Sequence, residues 1–271
     1  MRSRSIAGVT FDLWQTLILD EPEKDLVRRE LRCQGLCRAL SRFGIDLAFQ
    51  DILRGYDESA IWFQTFWRRN EDISTVEQIR YIVSIASKSK VLLPHEPKAI
   101  EELQEAYTAP VFSVLPVLNE HVFSTLECLR RRAYKIGLIS NTGRSPGRTL
   151  RRLLDRFGIL KFFDATIFSN EVGWLKPDRR IFMSAAEKLG VEPASILHVG
   201  DDPERDVWGA KQVGMKGLLL RYEVPEGFKT YPGSLLALGR GTRSIRDSEI
   251  KSDGQVNSLK EALEFIDSHC P

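Results

Sequence analysis

The aspartate Asp12 ends a short apolar run, Ile6-Ala7-Gly8-Val9-Thr10-Phe11, and is followed by Leu13-Trp14-Gln15-Thr16-Leu17. A carboxylate at the carboxyl end of a buried strand lies where open α/β sheets bind ligands, and there it can attack a phosphorus or carbon centre. A nucleophile of this kind usually has a second carboxylate two residues on to move protons. Here that position is Trp14, and an indole cannot do that work.

Two later apolar runs also end in polar groups. Lys135-Ile136-Gly137-Leu138-Ile139 runs into Ser140-Asn141, and Ile196-Leu197-His198-Val199 runs into Gly200-Asp201-Asp202, with Asp206 close behind. Right-handed crossovers bring such strand ends to one edge of a sheet. Clustered carboxylates repel one another and are costly to desolvate unless a cation neutralises them. Asp12, a main-chain carbonyl and Asp201 form an all-oxygen set that suits magnesium. Lys176, just before a helix whose entry Pro177 fixes, can hold Asp12 ionised and oppose the charge of a transferring phosphoryl group. Ser140 and Asn141 can donate hydrogen bonds to phosphoryl oxygens. Plainer readings exist for the neighbours. Asp206 can simply open a helix, Asp202 can cap a loop, and His198 within its apolar strand is expected to be a satisfied core histidine.

The elements that must position these groups follow from periodicity. From about Pro22 to Tyr107 the apolar residues recur at helical spacing, which predicts a bundle of about four helices. After Pro110 helices and short β-rich runs alternate: helix Asn119–Arg132, strand 135–139, a basic helix near Pro146–Phe157, strand Ala165–Phe168, helix Asp178–Leu189, strand 196–199, helix Arg205–Val213 and strand Gly217–Leu220. Such alternation builds a parallel sheet wrapped by helices. The first strand belongs to that sheet, so the bundle is an insertion placed as a lid over the strand ends. Glu223–Asp253, rich in Gly, Pro, Ser and Arg, is expected to form loops, and Leu259–Ile266 a final amphipathic helix.

The segments Phe11–Leu17, Leu138–Thr142, Lys176-Pro177-Asp178 and Val199–Asp206 resemble, in order, the four motifs of the haloacid dehalogenase-like hydrolase superfamily, with the insertion where that family carries its helical cap. The resemblance implies an α/β fold: a Rossmann-like parallel sheet core, residues 1–18 and 112–271, with an inserted α-helical cap domain, residues 19–111. It implies a covalent intermediate on Asp12 and Mg²⁺ held by Asp12, the main-chain carbonyl of Trp14 and Asp201, with Asp206 in or near that shell. Thr16 and Ser140 would orient groups around the nucleophile, Lys176 would stabilise it, and Asn141, Trp14 and Thr142 would meet the substrate.

Three functions are compatible with these residues. The favoured one is a magnesium-dependent phosphatase of a small phosphorylated metabolite, with Trp14 in place of the usual acid/base aspartate. A metal-independent 2-haloacid dehalogenase is the second, because that branch carries an aromatic residue two positions after its nucleophile. It would leave Asp201 and Asp206 without a cation, which weighs against it. The third is a catalytically weak domain that binds a phosphorylated ligand or a protein. A phosphonate-cleaving variant would need a cap lysine, and no motif singles out Lys88, Lys90 or Lys98.

Composition narrows the partners. With 39 Lys+Arg against 37 Asp+Glu, nothing points to nucleic acid or a membrane surface. No stretch approaches the roughly 20 apolar residues that span a bilayer, so a soluble cytoplasmic protein is expected. Cys33, Cys37, Cys128 and Cys270 lack metal-type spacing and are read as reduced, core-filling thiols. In the cap, the aromatic stretch Ile61–Arg69 is expected to be lid core; Trp62 and Arg68 fall off the main stripe, and a place facing substrate is the less favoured alternative for them. Arg130–Arg132, Arg144, Arg148, Arg151 and Arg152 are expected on solvated helix faces. No feature sets an oligomeric state.

Overall fold

A computed structural model describes residues 6–221 and 249–268. Its centre is β1 (Gly8–Phe11), four buried residues paired in parallel on both sides. A strand flanked on both edges and covered on both faces must be apolar throughout, which is why the run 6–11 shows no alternation. β2 (Ile18–Leu19) and β3 (Val117–Leu118) form a small antiparallel ribbon. β4 (Lys135–Ser140), β5 (Ala165–Phe168), β6 (Ile196–Gly200), β7 (Lys216–Leu220) and β8 (Gly254–Val256) complete a six-stranded parallel sheet in the order β5-β4-β1-β6-β7-β8. Sequence order reverses at β1, with β4 to one side and β6 to the other. The ligand crevice of an open sheet opens at that reversal, outside the carboxyl ends of the strands.

Four long helices, α1 (Pro22–Ser41), α2 (Phe49–Trp67), α3 (Thr75–Ala86) and α4 (Pro97–Thr108), and a single short one, Pro110–Ser113, separate the two strands of the ribbon. Their starts are written locally. Pro22 and Pro97 occupy first-turn positions that need no N–H. Ser74 and Glu77 form a reciprocal capping box, with Glu77 N–H to Ser74 Oγ at 3.2 Å and Ser74 N–H to Glu77 Oε2 at 2.9 Å. The bundle has its own apolar core around Leu36, Tyr56, Ile79 and Leu103, distinct from those on the two faces of the sheet. Cys33 fills that core and Cys37 packs at its margin, whereas Cys270 lies outside the described residues.

Several boundaries differ from the sequence reading. The ribbon β2–β3 was not expected, because two-residue strands carry no periodicity. β8 was not expected either; it directly follows the stretch 223–253, of which residues 222–248 lie outside the described residues. The helix expected at Arg205–Val213 begins instead as a π-helical turn, Pro203–Trp208, before Gly209–Lys211. Among the described residues no helix is long and apolar enough to cross a membrane.

The insertion grips the loop that follows β4 residue by residue. Thr142 Oγ1 donates to Asp72 Oδ2 at 3.0 Å, Gln78 Nε2 to the Gly143 carbonyl at 2.9 Å, and Arg32 to Ser145 Oγ at 3.3 Å. Arg144 enters the bundle itself. Its guanidinium lies 3.6 Å from the Tyr56 ring centroid and donates to the Tyr107 hydroxyl at 2.7 Å. The expectation of a solvated Arg144 is therefore corrected: it is 5% exposed. Arg151 and Arg152 are also engaged, with Glu171 and with Glu105 of the insertion, while Arg148 is exposed.

Asp72 anchors this contact and yields a test. Its carboxylate accepts from Ser169 and Thr142, and its own N–H donates to the Gly173 carbonyl at 3.1 Å. Desolvation at the interface pushes its carboxyl up from the ordinary value, against the hydrogen bonds that lower it. A raised carboxyl keeps its proton longer in the folded chain than in the unfolded one, so its contribution to stability is lost as pH rises through the folded value. Asp72→Asn removes that titration. Its melting temperature is expected to fall less than that of the wild type as pH rises above the ordinary carboxylate range, measured at fixed ionic strength. Parallel pH profiles for the two proteins would rule this out.

Candidate active site

Three strand ends deliver the carboxylates. Asp12 follows β1, held by its N–H on the Val199 carbonyl at 2.9 Å, and Asp201 follows β6. The π-helical turn returns Asp206 to the same place. The Cβ of any residue larger than glycine at 200 would lie 2.2 Å from Asp206 Cγ, so Gly200 makes room for that carboxylate. One ligand atom from each of Asp12, Asp201 and Asp206 lies within 4.8 Å of the others.

Lys176 is the cation built into this cluster. It is 3% exposed, its Nζ donates to Asp12 Oδ1, and it reaches Asp206 Oδ1 at 2.6 Å. Asn141 fixes the lysine backbone through two bonds: Lys176 N–H to Asn141 Oδ1 at 2.8 Å, and Asn141 Nδ2 to the Lys176 carbonyl at 3.1 Å. His198, fully buried, completes the support. Its Nε2 lies 3.2 Å from Asp206 Oδ1 and its Nδ1 2.9 Å from Thr10 Oγ1. It is thus a satisfied core histidine that also orients Asp206. Asp202 caps the turn, accepting from the N–H groups of Glu204 and Arg205 at 3.0 Å each.

The electrostatics follow from burial and sign. Burial raises the Asp12 carboxyl to about 7, with the Asp206 charge adding and Lys176 opposing. Asp201 is raised by burial and by the negative charges of Asp206, Asp12 and Asp202. Asp206 goes the other way despite its burial, because Lys176 and His198 hold it ionised. Burial lowers Lys176, but the two carboxylates outweigh it and leave the ammonium firmly charged. One lysine pairs with Asp12 and Asp206 while Asp201 stands beside them, so the cluster is short of positive charge whenever Asp12 and Asp201 ionise. A divalent ion would supply the missing charge, and all the donors are oxygens. The Trp14 carbonyl accepts no hydrogen bond among the described residues and is free to join them.

The cluster opens into a cavity of about 420 Å³ between sheet and insertion. Asp12, Trp14, Asn141, Thr142, Lys176, Asp201 and Asp206 all line it. Ser140 and Thr16 do not. Ser140 is buried with its hydroxyl toward the Asn141 carbonyl at 3.3 Å, and Thr16 Oγ1 is buried without a partner among the described residues. The insertion contributes Arg28, Arg32, Trp67 and Arg68. Of the two residues for which a substrate-facing place was the less favoured alternative, Arg68 lines the cavity, whereas Trp62 packs within the insertion, stacked on Tyr81 with ring centroids 4.4 Å apart. Trp67, on the apolar stripe, reaches the cavity in its stead. Arg28 and Arg32 were missed, although their spacing of four residues puts them on one face of α1. None of Lys88, Lys90 and Lys98 lines the cavity.

Comparison with known proteins gives a consistent picture. Residues 6–214 match the family model described as haloacid dehalogenase-like hydrolase. A phosphoglycolate phosphatase of Salmonella typhimurium is 27% identical over 81% of this chain and 82% of its own. A glyceraldehyde 3-phosphate phosphatase of Methanothermobacter thermautotrophicus is 38% identical over 38% of this chain and 44% of its own. Haloacid dehalogenase-like hydrolase domain-containing protein 3 of Bos taurus is 38% identical over 44% and 45%, respectively. The chain thus spans about half the length of several of the relatives that it matches. Among solved structures, a 2-haloacid dehalogenase of Pseudomonas syringae aligns over 97% of this chain and 99% of its own, with a TM-score of 0.62 at 17% identity. A phosphatase of Thermococcus onnurineus aligns over 96% and 98%, with a TM-score of 0.57 at 21% identity. Both likenesses are likenesses of fold.

Proposed function

This chain belongs to the haloacid dehalogenase-like hydrolase family, and on that premise we propose that it is a magnesium-dependent phosphatase of a small phosphorylated molecule. The observation that carries this reading is the convergence of Asp12, Asp201 and Asp206 on one point, where a single lysine pairs with Asp12 and Asp206. Displacement of halide needs no divalent ion and would leave these carboxylates uncompensated. Transfer of a dianionic phosphoryl group through a cation-neutralised acidic cluster uses every one of them. The named phosphatases among the relatives support the same choice.

Asp12, Asp201, Asp206 and the Trp14 carbonyl would hold Mg²⁺, which supplies positive charge to the phosphoryl oxygens. The chain's own residues do the rest. Asp12 attacks phosphorus to form an aspartyl phosphate, which water then hydrolyses. Lys176 keeps Asp12 oriented and opposes the charge that builds on the phosphoryl group. Asn141 holds Lys176 through its main chain and retains one N–H for the ligand. Thr142 shapes the same rim, Ser140 and Thr16 support the loops on either side, and residues 19–111 form the cap over a core of residues 1–18 and 112–271.

The test is a panel of phosphate monoesters together with 2-chloropropionate, each with and without Mg²⁺. Magnesium-dependent phosphate release with no halide release is the expected result. Halide release without metal would establish the dehalogenase instead, and neither product would leave a ligand-binding domain as the better account.

A further inference from the structure

The cavity is unusually rich in indole. Three of the chain's five tryptophans, Trp14, Trp67 and Trp208, line it. They come from three separate places: the loop after β1, the last residue of α2 and the end of the π-helical turn. All three are partly exposed. Core packing explains only Trp14, which rests on the sheet cluster; Trp67 and Trp208 belong to none of the apolar cores. Trp67 is steadied from the side by the Phe63 ring, with centroids 6.4 Å apart, and by the Arg205 guanidinium at 5.9 Å, while Trp62 stacks on Tyr81 and Trp174 carries the Arg180 guanidinium away from the cavity. Rings converging on a cavity from separate elements make a receptor for a ring.

A second observation limits what bond can break there. Outside the metal-type cluster, the carboxylates lining the cavity are already committed. Asp20 accepts from the Glu21 N–H at 3.2 Å and from Arg28. Asp202 caps its turn, Asp25 lies 3.9 Å from both Arg28 and Arg32, and Glu204 is buried with interactions of its own. Trp14, two residues beyond the nucleophile, carries an indole N–H that can donate a hydrogen bond but is too weak an acid to protonate a leaving group. With no free carboxylate placed to protonate it, a leaving group that is stable as an anion is the one this site favours.

Resting on the phosphatase reading above, we propose that the substrate is a small aryl phosphate, a phosphate monoester of a phenolic ring. A phenol ionises near 10, as tyrosine does, whereas an aliphatic alkoxide is about as basic as hydroxide. In the first step an Asp12 carboxylate oxygen bonds to phosphorus. The bond from phosphorus to the aryl oxygen breaks, and the aryloxide leaves with the electron pair and takes a proton from solvent. In the second step water adds to phosphorus, the bond to Asp12 breaks, and inorganic phosphate and a proton are released. The net reaction consumes one water and yields the phenol and phosphate. Trp14 provides no base for the second step either, so kcat/KM, which reports the first step alone, is the quantity that reads leaving-group chemistry.

Four substrates given to the full chain with Mg²⁺ separate the two requirements. Phenyl phosphate has a ring and a good leaving group, acetyl phosphate has only the leaving group, adenosine 5′-monophosphate has only a ring, and glycerol 3-phosphate has neither. Phenyl phosphate is expected to have the highest kcat/KM, with glycerol 3-phosphate and adenosine 5′-monophosphate at least about 100-fold lower, the value of the absent acid. Trp67→Ala and Trp208→Ala should raise KM for phenyl phosphate about five- to tenfold and leave KM for acetyl phosphate within about twofold, a contrast that a folding defect cannot produce. The proposal is overturned if either alkyl ester comes within about tenfold of phenyl phosphate, or if the tryptophan variants shift both KM values alike. Phosphate release from none of the four would bring down the phosphatase reading itself.

Discussion

Asp12→Asn is expected to release phosphate at least on the order of 10⁴-fold more slowly than the wild type, because it removes the atom that attacks phosphorus. The carboxamide is nearly isosteric, so the fold should persist. The sharper signature is in stability. Burial holds the Asp12 carboxyl at about 7 in the metal-free chain, which means that the folded state binds a proton that the unfolded state has already lost. That contribution is present at low pH and disappears as pH rises through about 7. Asp12→Asn abolishes this descent, and at pH 8 the metal-free variant should melt no lower than the wild type. It should also gain much less from added Mg²⁺, since one charged ligand is gone. Calorimetry with and without the ion measures both effects. Retention of phosphate release in the folded variant would remove Asp12 from the mechanism.

Lys176→Met carries the largest expected effect on stability. The ammonium is buried between Asp12 and Asp206, and among the described residues nothing else of positive charge reaches both. Removing one partner from a buried ion cluster costs about 3–5 kcal/mol, because the remaining charges are left without compensation. For a chain of this size that corresponds to a fall in melting temperature of roughly 10 °C. Two further outcomes separate this electrostatic cause from lost packing. The deficit should grow as pH rises, because each carboxylate that ionises does so without the ammonium that held it. Mg²⁺ should restore more stability to the variant than to the wild type, since an ion bound only by the folded state stabilises in proportion to RT ln(1 + [L]/Kd). A deficit independent of both pH and Mg²⁺ would mean that the methionine merely packs badly.

The metal-type cluster is legible in the amino-acid sequence because it obeys local rules. An apolar run ending in Asp12, another ending in Ser140-Asn141 and a third ending in Gly200-Asp201 are each strand-sized, and the handedness of crossovers sends all three ends to one edge. Even His198 could be placed, since an imidazole inside a buried strand must find partners. Its bond to Asp206 could not, because that depends on a π-helical turn that no periodicity announces. Arg144 fails for a related reason. Next to a basic helix it looks like one more solvated arginine, and only the approach of α2 and α4 supplies the aromatic rings and hydroxyls that make its burial favourable.

The sequence by itself determined the class of fold, the interrupted order of sheet, helical bundle and sheet, and the identities of Asp12, Lys176, Asp201 and Asp206 as one candidate centre. These rest on patterns a few residues long, repeated along the chain, and on the fixed handedness of parallel crossovers. Tertiary structure alone decided which tryptophans face the cavity, how Asp72, Gln78, Arg32 and Arg144 bind the cap to the loop after β4, and that Lys176 is shared between two carboxylates. Those contacts join residues 30 to 164 positions apart. Their energies depend on distance and burial, which exist only once the elements have packed.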